Sequence, residues 1–464
     1  MRTGCSPGLP DRQSAGTGCL PASDLTEAQG LVERSILYAS DPEPGGWRNQ
    51  VVFAADDCVK FTTWPWPTQT EQAHTIHAEG LADFFLPLAI DLEKIYGVAY
   101  EFPPSSRVKP AMRTDINEAL GRGATMFYYV GHGAEDNLAD EQVFQSGDIS
   151  TLGNGMRRPL FHAFSCDVGV FDNPSHHSMA EKFILEEDGG AIGSICASQV
   201  SYAHLNRPLS EFFYAELFPG RRVDPAVTVS EALMRAKANM GNMDRRRNSQ
   251  RYNLLGDPGL RLPQPTDDLV FSESSSDTLF SGNLATARLD GGKALLAPGD
   301  SYELLAEESG FDFGYIYAYR DSFPPDYPLS PVVRVPSWDT FPHRGGTVFR
   351  GTGVVGTGDL EIPFMVPAQL RYGNTARLRL ITEGLDGLRD RLSEYRELGA
   401  RFAKWRAVIT IAHALPTQAN LEANAHALAR YAALCQEAGI VPIVEPEVLM
   451  DGGHDIDRCE VVTS

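Results

Sequence analysis

ATMFYYVGHG, residues 124–133, is an unbroken apolar run that ends on a histidine flanked by glycines. A second run, PLFHAFS at 159–165, ends beside Cys166 and continues into DVGVFD at 167–172. Short continuous apolar runs are what a parallel strand buried on both faces requires. Two such strands would put the imidazole of His132 and the thiol of Cys166 at one sheet edge. A cysteine nucleophile and its base need that layout.

Working outward, QVVFAAD at 50–56 and GGAIGSICAS at 189–198 read as further strands. Amphipathic segments alternate with them from about 25 to 263, the pattern of a doubly wound α/β domain. Ser178 with Glu181 predicts a capping box that opens the helix MAEKFILEE, and Gly189 and Gly190 stop it. Thr228 with Glu231 predicts the same device for a helix running to about Met240. The domain closes at NLLGDPGLRLP, 253–263.

Residues 1–16, rich in Gly, Pro and Ser, are expected to be disordered, and the polar, turn-rich stretch at 264–277 reads as a linker. From 278 to 380, short alternating segments separated by Gly and Pro predict a small β-sandwich-like domain. Past 380 the pattern is helix, strand, helix, strand. RFAKWRAVITIA and VPIVEPEV are the strands, and Leu421, Ala425, Leu428, Ala432 and Cys435 share one face of the helix between them. One βαβ unit cannot cover both faces of its own sheet, so this segment is expected to be unstable alone.

The chain of 464 residues carries 40 basic and 61 acidic side chains, a formal charge of -21. A nucleic-acid binder or a ligand of anionic membranes would carry a basic footprint instead. No window reaches the length of about 18 apolar residues that a transmembrane helix needs, and the N-terminus shows no signal-peptide core. The chain as written is therefore expected to be cytoplasmic. Its seven cysteines, an odd number without paired spacing, indicate neither a disulfide framework nor a zinc ribbon, and leave at least one free thiol. No metal and no cofactor is expected.

A thiolate that attacks a carbonyl needs backbone N–H donors to meet the charge on the oxygen. Cys166 is assigned as nucleophile, His132 as general acid and base, and the amides of Gly133 and Cys166 as the oxyanion hole. Asp56 and Asp57, at the end of a strand, either orient the imidazole or cap the loop that follows. His74 and His77 are expected on the surface of a helix, and His176 and His177 in solvent or at a substrate rim.

The segment 17–263 resembles the gingipain-like cysteine peptidases of the caspase-hemoglobinase fold. The resemblance is carried by YVGHG at 129–133, SCDVGVFD at 165–172, GGAIGSICAS at 189–198 and LLGDPGLRL at 254–262, in that order. It implies a polypeptide substrate and a dyad at His132 and Cys166. The β-rich stretch that follows looks like the corresponding part of type IX secretion sortases of the PorU kind, which would imply secretion-system partners. Those relatives carry further sequence, including an export signal, before the segment matched here. A truncated N-terminus would then mean a periplasmic or outer-membrane-associated protein. No aspartate in AHTIHAEG, 73–80, aligns with the pocket residue of arginine-specific members, so arginine specificity is not expected.

The segment 381–464 resembles class I fructose-bisphosphate aldolase. Lys404 and Arg406 match strand-end positions that serve the active site and phosphate contact, and Glu445 and Glu447 match acid/base carboxylates. Such a (β/α)8 barrel needs about 250 residues and eight strands, of which two are present here. The Schiff-base lysine of that family lies on a later strand, and no lysine follows Lys404. The expectation is a cysteine endopeptidase joined to an aldolase fragment. The alternatives are a lyase of glycolysis and an inactive fusion or truncated product.

Overall fold

The computed structural model describes residues 17–264 apart from 41, 44, 61, 63, 88–89, 174 and 224–226, then 283–289, 301–322, 332–354, 360–371, 373, 376–383, 392, 395–396, 399–409, 411, 416, 418–448, 458–459 and 462. The expected disordered N-terminus, nearly all of the expected linker and most of the first helix expected past 380 lie outside these residues. The chain divides into two compact units: Met1–Asp268 with Phe311–His343, and Leu269–Gly310 with Arg344–Ser464.

The first unit begins with helix α1 (Leu25–Ser40) and strand β1 (Gln50–Ala55), followed by α2 (Ala73–Phe84), β2 (Asp91–Tyr96), α3 (Pro110–Arg122) and β3 (Met126–Val130). A minor antiparallel pair, β4 (Asn137–Leu138) and β5 (Phe144–Gln145), precedes β6 (Leu160–Phe164). Next come α4 (Met179–Leu185), β7 (Gly193–Ala197), α5 (Ala203–Leu217), α6 (Val229–Ala238), α7 (Met243–Ser249) and β8 (Tyr252–Leu255). The six main strands form one sheet in the order β2-β1-β3-β6-β7-β8, parallel except for the antiparallel edge strand β8.

Side chains of the central strands alternate between two cores, as the pleat dictates. Val51, Phe53, Ala55, Met126, Tyr128 and Val130 point to the face covered by α2, α5 and α6. Val52, Ala54, Phe127, Tyr129, Phe161 and Ala163 point to the face covered by α1, α3 and α4. Burial on both faces is why these runs read as continuously apolar. Edge strand β2, DLEKIY, escaped the sequence reading because it is charged: Glu93 pairs with Arg122 at 2.8 Å and Lys94 with Glu79 at 2.8 Å.

The capping box of Ser178 and Glu181 is present at α4, and Thr228 accepts the Glu231 N–H at 3.2 Å at the start of α6. Two expectations need correction. His74 and His77 do lie on a helix, but both are buried, because α2 packs on the sheet rather than in solvent; His77 Nε2 lies 2.7 Å from Ser210 Oγ. The second concerns the span 278–380. Its hairpin, β11 (Phe311–Ser322) with β12 (Val333–His343), belongs to the first unit, with Phe341 and Tyr315 built into the same core as Tyr96 of β2.

In the second unit, β9 (Leu284–Leu289) pairs with β14 (Leu360–Met365), and β10 (Ser301–Glu307) lies between β13 (Thr347–Val354) and β15 (Arg377–Glu383). Ala285, Ala287, Leu304, Ala306, Ile362 and Phe364 from both sheets share one core, which is sandwich packing. The βαβ unit is β16 (Phe402–Ile409), α8 (Gln418–Glu437) and β17 (Val441–Val448), with the two strands parallel. Phe402 and Val441 are exposed on it. Among the described residues, no helix is long and apolar enough to cross a membrane.

Candidate active site

Strands β1, β3, β6 and β7 are neighbours, and their C-terminal ends deliver the residues of interest to one sheet edge. Ligands of open α/β sheets bind at that edge. The register pairs Val130 with Phe164, and His132 and Cys166 each follow two residues later on adjacent strands. The two loops touch. A Cβ added at Gly133 would lie 2.9 Å from Val168 Cγ2 and 3.2 Å from Cys166 O, and would run into Ser165 Oγ. Only glycine lets the histidine loop settle on the cysteine loop so closely.

A clean prediction follows from that contact. Gly133→Ala should destabilise the fold by about 1–3 kcal/mol through overpacking, and slow Cys166 alkylation at neutral pH by prising the loops apart. Thermal unfolding and iodoacetamide kinetics measure both. A variant as stable and as reactive as the parent would show the contact to be unimportant.

The His132 ring is 46% exposed, and its Nε2 lies 2.8 Å from Glu71 Oε2. Glu71 is buried and also meets Lys60 Nζ at 2.8 Å and His74 Nε2 at 3.3 Å. Burial alone would raise its pKa, but hydrogen bonds from His132, His74 and Lys60 hold it well below the usual carboxylate range. In return, the Glu71 hydrogen bond lifts His132 to about 9, against the opposing pull of burial. The imidazole is held as imidazolium at neutral pH.

Asp56 and Asp57 do other work. Asp56 Oδ2 accepts the backbone N–H of His132 at 2.8 Å, and Tyr129 donates its hydroxyl to the His132 carbonyl at 2.7 Å. These bonds place the histidine's main chain, whereas Glu71 holds its ring. Asp57 accepts the Val59 N–H at 2.6 Å, a loop cap, and forms a buried ion pair with Lys109 at 2.6 Å. Sequence reasoning missed Glu71: it sits in the turn before α2, where an acidic residue reads as an ordinary helix-start signal.

The Cys166 thiol is half-buried and rests on the Ser201 peptide after β7. It donates to Ser201 O at 3.1 Å and receives the Ser201 N–H at 3.3 Å. Ser201 Oγ donates to Ser165 O at 3.0 Å and accepts from Asn206 Nδ2 at 2.9 Å, which fixes the turn beneath the sulfur. Asp167, immediately after the cysteine, takes a left-handed backbone at φ 54°, a strained conformation typical of functional turns. At Gly133, the ladder bonds to Leu138's strand are made by its neighbours, Ala134 N to Asn137 O and Ala139 N to His132 O. The glycine's own N–H is not used in that pairing.

Cys58 and Cys196 are buried free thiols; burial pushes Cys58 far up and Cys196 to about 12. Cys435 is buried, Cys459 partly exposed, and Cys19 disulfide-bonded, so the thiols are not all free. His176 and His177 are partly exposed, His176 lying 2.9 Å from Asp136. Asp56, His74 and His132 bring side-chain atoms within 4.8 Å of one another, as do Asp56, Asp57 and Glu141. In the second unit, Lys404 Nζ pairs with Glu445 at 2.8 Å across β16 and β17. Arg406 and Glu447 lie on the same two strands, and their side chains are outside the described residues.

A doubly wound sheet that delivers a histidine and a cysteine to one edge is the plan of a cysteine peptidase. Residues 6–263 match the sequence model of Peptidase family C25, and the chain belongs to that family. Residues 372–464 match the model of fructose-bisphosphate aldolase class-I. Over 84 residues the chain is 71% identical to the probable fructose-bisphosphate aldolase class 1 of Xanthomonas campestris pv. campestris, covering 18% of this chain and 25% of that protein. It is 61% identical over 82 residues to the cytosolic fructose-bisphosphate aldolase 6 of Arabidopsis thaliana, covering 18% and 23%. The chain thus spans about a quarter of the length of these curated relatives. Among solved structures, the Arg-specific cysteine proteinase gingipain R aligns with a TM-score of 0.40 and 15% identity, over 78% of this chain and 70% of that one. A complex of pro- and mature domains from Porphyromonas gingivalis aligns with a TM-score of 0.40 and 15% identity, over 77% and 74%.

Proposed function

We propose that Cys166 is the nucleophile of this peptidase, His132 its general acid and base, and Glu71 the group that orients and charges the imidazole. The observation that supports this most directly is the seating of Gly133 on Ser165 and Cys166, with the His132 ring clamped by Glu71 on the far side. Cys166 gives its thiol proton to the neutral form of His132, and the resulting thiolate adds to the carbonyl carbon of a polypeptide substrate. The oxyanion that forms is met by the N–H groups of Gly133 and Cys166. His132, cationic at neutral pH, gives its proton to the departing amine, and the acyl-enzyme forms. It then takes a proton from the water that hydrolyses the thioester and returns Cys166.

An acyloxymethyl-ketone or iodoacetamide probe tests the assignment. Cys166 should be labelled faster than the other described free thiols, the partly exposed Cys459 included, and His132→Ala should abolish the preference over Cys459. Equal labelling of all the free thiols would reject it. The disulfide at Cys19 favours an oxidising compartment over the cytoplasm, in keeping with secretion-system partners and a periplasmic or outer-membrane location.

We infer that residues 381–464 by themselves hold only part of an aldolase-like site, to which the Lys404 to Glu445 pair belongs. These residues supply two strands of a barrel that needs eight. Borohydride trapping with fructose 1,6-bisphosphate should give no adduct by mass spectrometry. A stoichiometric adduct would overturn that inference. The boundaries proposed for the parts are 17–263 for the peptidase domain and 381–464 for the aldolase segment, with the hairpin 311–343 counted with the peptidase.

A further inference from the structure

The family match ends at residue 263, yet the hairpin β11–β12 is packed into the peptidase unit. Phe341 packs against Tyr96 with the rings tilted and centroids 4.9 Å apart, and Lys94 Nζ donates to Pro342 O at 3.0 Å, so the hairpin lies over edge strand β2. Tyr319 meets the edge of Trp66 at 5.4 Å, and the Arg334 guanidinium sits 5.3 Å from the same ring. Trp66 belongs to the loop that leads to Glu71.

The decisive contact is at Gln72. Its side chain is buried, and its Nε2 donates to Asp339 Oδ2 at 2.5 Å and lies 3.5 Å from Tyr315 OH. Tyr315 and Asp339 face each other in the hairpin register. Gln72 directly follows Glu71 in the tight turn that opens α2, where Glu71 N donates to Thr68 O and His74 N to Glu71 O, each at 3.1 Å. In so short a turn, a fixed Gln72 side chain fixes the carboxylate beside it.

We propose that the β11–β12 hairpin completes the catalytic apparatus: Asp339 and Tyr315 clamp Gln72, and through that turn hold Glu71 against His132. These three are positioning residues, since none meets the substrate in this arrangement. The proposal rests on His132 being the acid and base of the reaction. A charge-assisted bond from an amide to a carboxylate is well suited to the task, being short and directional. Displacement of such a support by about 1 Å can cost a reaction about 10²-fold.

The test uses the full chain with histidine rings labelled for NMR, the His132 signal being assigned by its loss in His132→Gln. Asp339→Ala should lower the pH midpoint of His132 by about one unit or more, which is about tenfold in its protonation equilibrium, and should slow Cys166 alkylation several-fold at pH 7.5. Asp339→Asn keeps an acceptor oxygen and should restore most of both. Gln72→Met removes the same bond from the other side and should reproduce the shift if Asp339→Ala folds poorly. Lys94→Met cuts the hairpin's separate tie to β2 and should leave the His132 midpoint in place. An unchanged midpoint in folded Asp339→Ala and Gln72→Met would overturn the proposal, and so would an equal shift in Lys94→Met. Failure of the underlying reading looks different: His132→Ala would then keep peptidase activity, while the NMR midpoint would still respond to Asp339→Ala.

Discussion

Cys166→Ala is expected to lower peptide hydrolysis by about 10⁴-fold or more, because removing the nucleophile of a covalent mechanism leaves only binding and oxyanion stabilisation. The loss should fall on kcat/KM with a mixed fluorogenic peptide pool, without loss of the fold. The sulfur's described hydrogen bonds are with Ser201 alone, and the bonds of the Ser201 hydroxyl to Ser165, Asn206 and Tyr252, which hold the turn beneath it, remain after the substitution. Far-UV circular dichroism and the thermal midpoint should therefore match the parent. Cys459→Ser, on the other unit, provides the control and should keep full activity. Residual hydrolysis within tenfold of the parent in Cys166→Ala would place the nucleophile elsewhere.

The second large effect belongs to Glu71→Gln, which keeps the shape of the side chain and removes its charge. Glu71 is the first cause of the raised His132 value of about 9; without it the ring should return toward its ordinary value of about 6.5. At pH 7.5 the imidazolium population then falls about tenfold, and with the ring's orientation also lost, kcat/KM should drop about 10²-fold. The descending limb of the pH profile, near pH 9 in the parent, should move down by about two units. Stability follows the same linkage. A folded-state value above the unfolded one stabilises fully below about pH 6.5, and that contribution disappears as pH rises from there to about 9. The parent should lose stability across that window and Glu71→Gln should not, as read by thermal midpoints at pH 6 and pH 9. A variant with the parent's pH limb and rate would remove Glu71 from the mechanism.

The two effects differ in how far the residues concerned could be read in advance. His132 and Cys166 each close a local apolar run, so the strand before each residue and the turn after it are written in neighbouring letters. Hydrophobic periodicity reports such short-range order well. The cap at Ser178 and Glu181 is legible for the same reason, since its partners are three residues apart. Strand β2 was not, because an edge strand satisfies its charges sideways, Glu93 with Arg122 and Lys94 with Glu79, and so need not look apolar. Its register beside β1 is set by long-range pairing that leaves no local mark.

The alternation of strands and helices, the ends of β3 and β6, and the glycines around His132 are legible from neighbouring residues, because each is a matter of adjacent side chains and backbone freedom. Which carboxylate holds the imidazole was settled by long-range packing. Asp56 is nearest in the strand pattern, but it is spent on the main chain of His132, while Glu71 arrives from a distant loop and is kept charged by Lys60 and two histidines. The place of the hairpin β11–β12 was settled in the same way. Its residues alternate like those of any surface β-segment, and nothing local shows that Phe341 and Tyr315 are buried in the core of the first unit or that Asp339 meets Gln72. Contacts between residues hundreds of positions apart are chosen by packing and burial of the whole unit, and packing is not a local property of the chain.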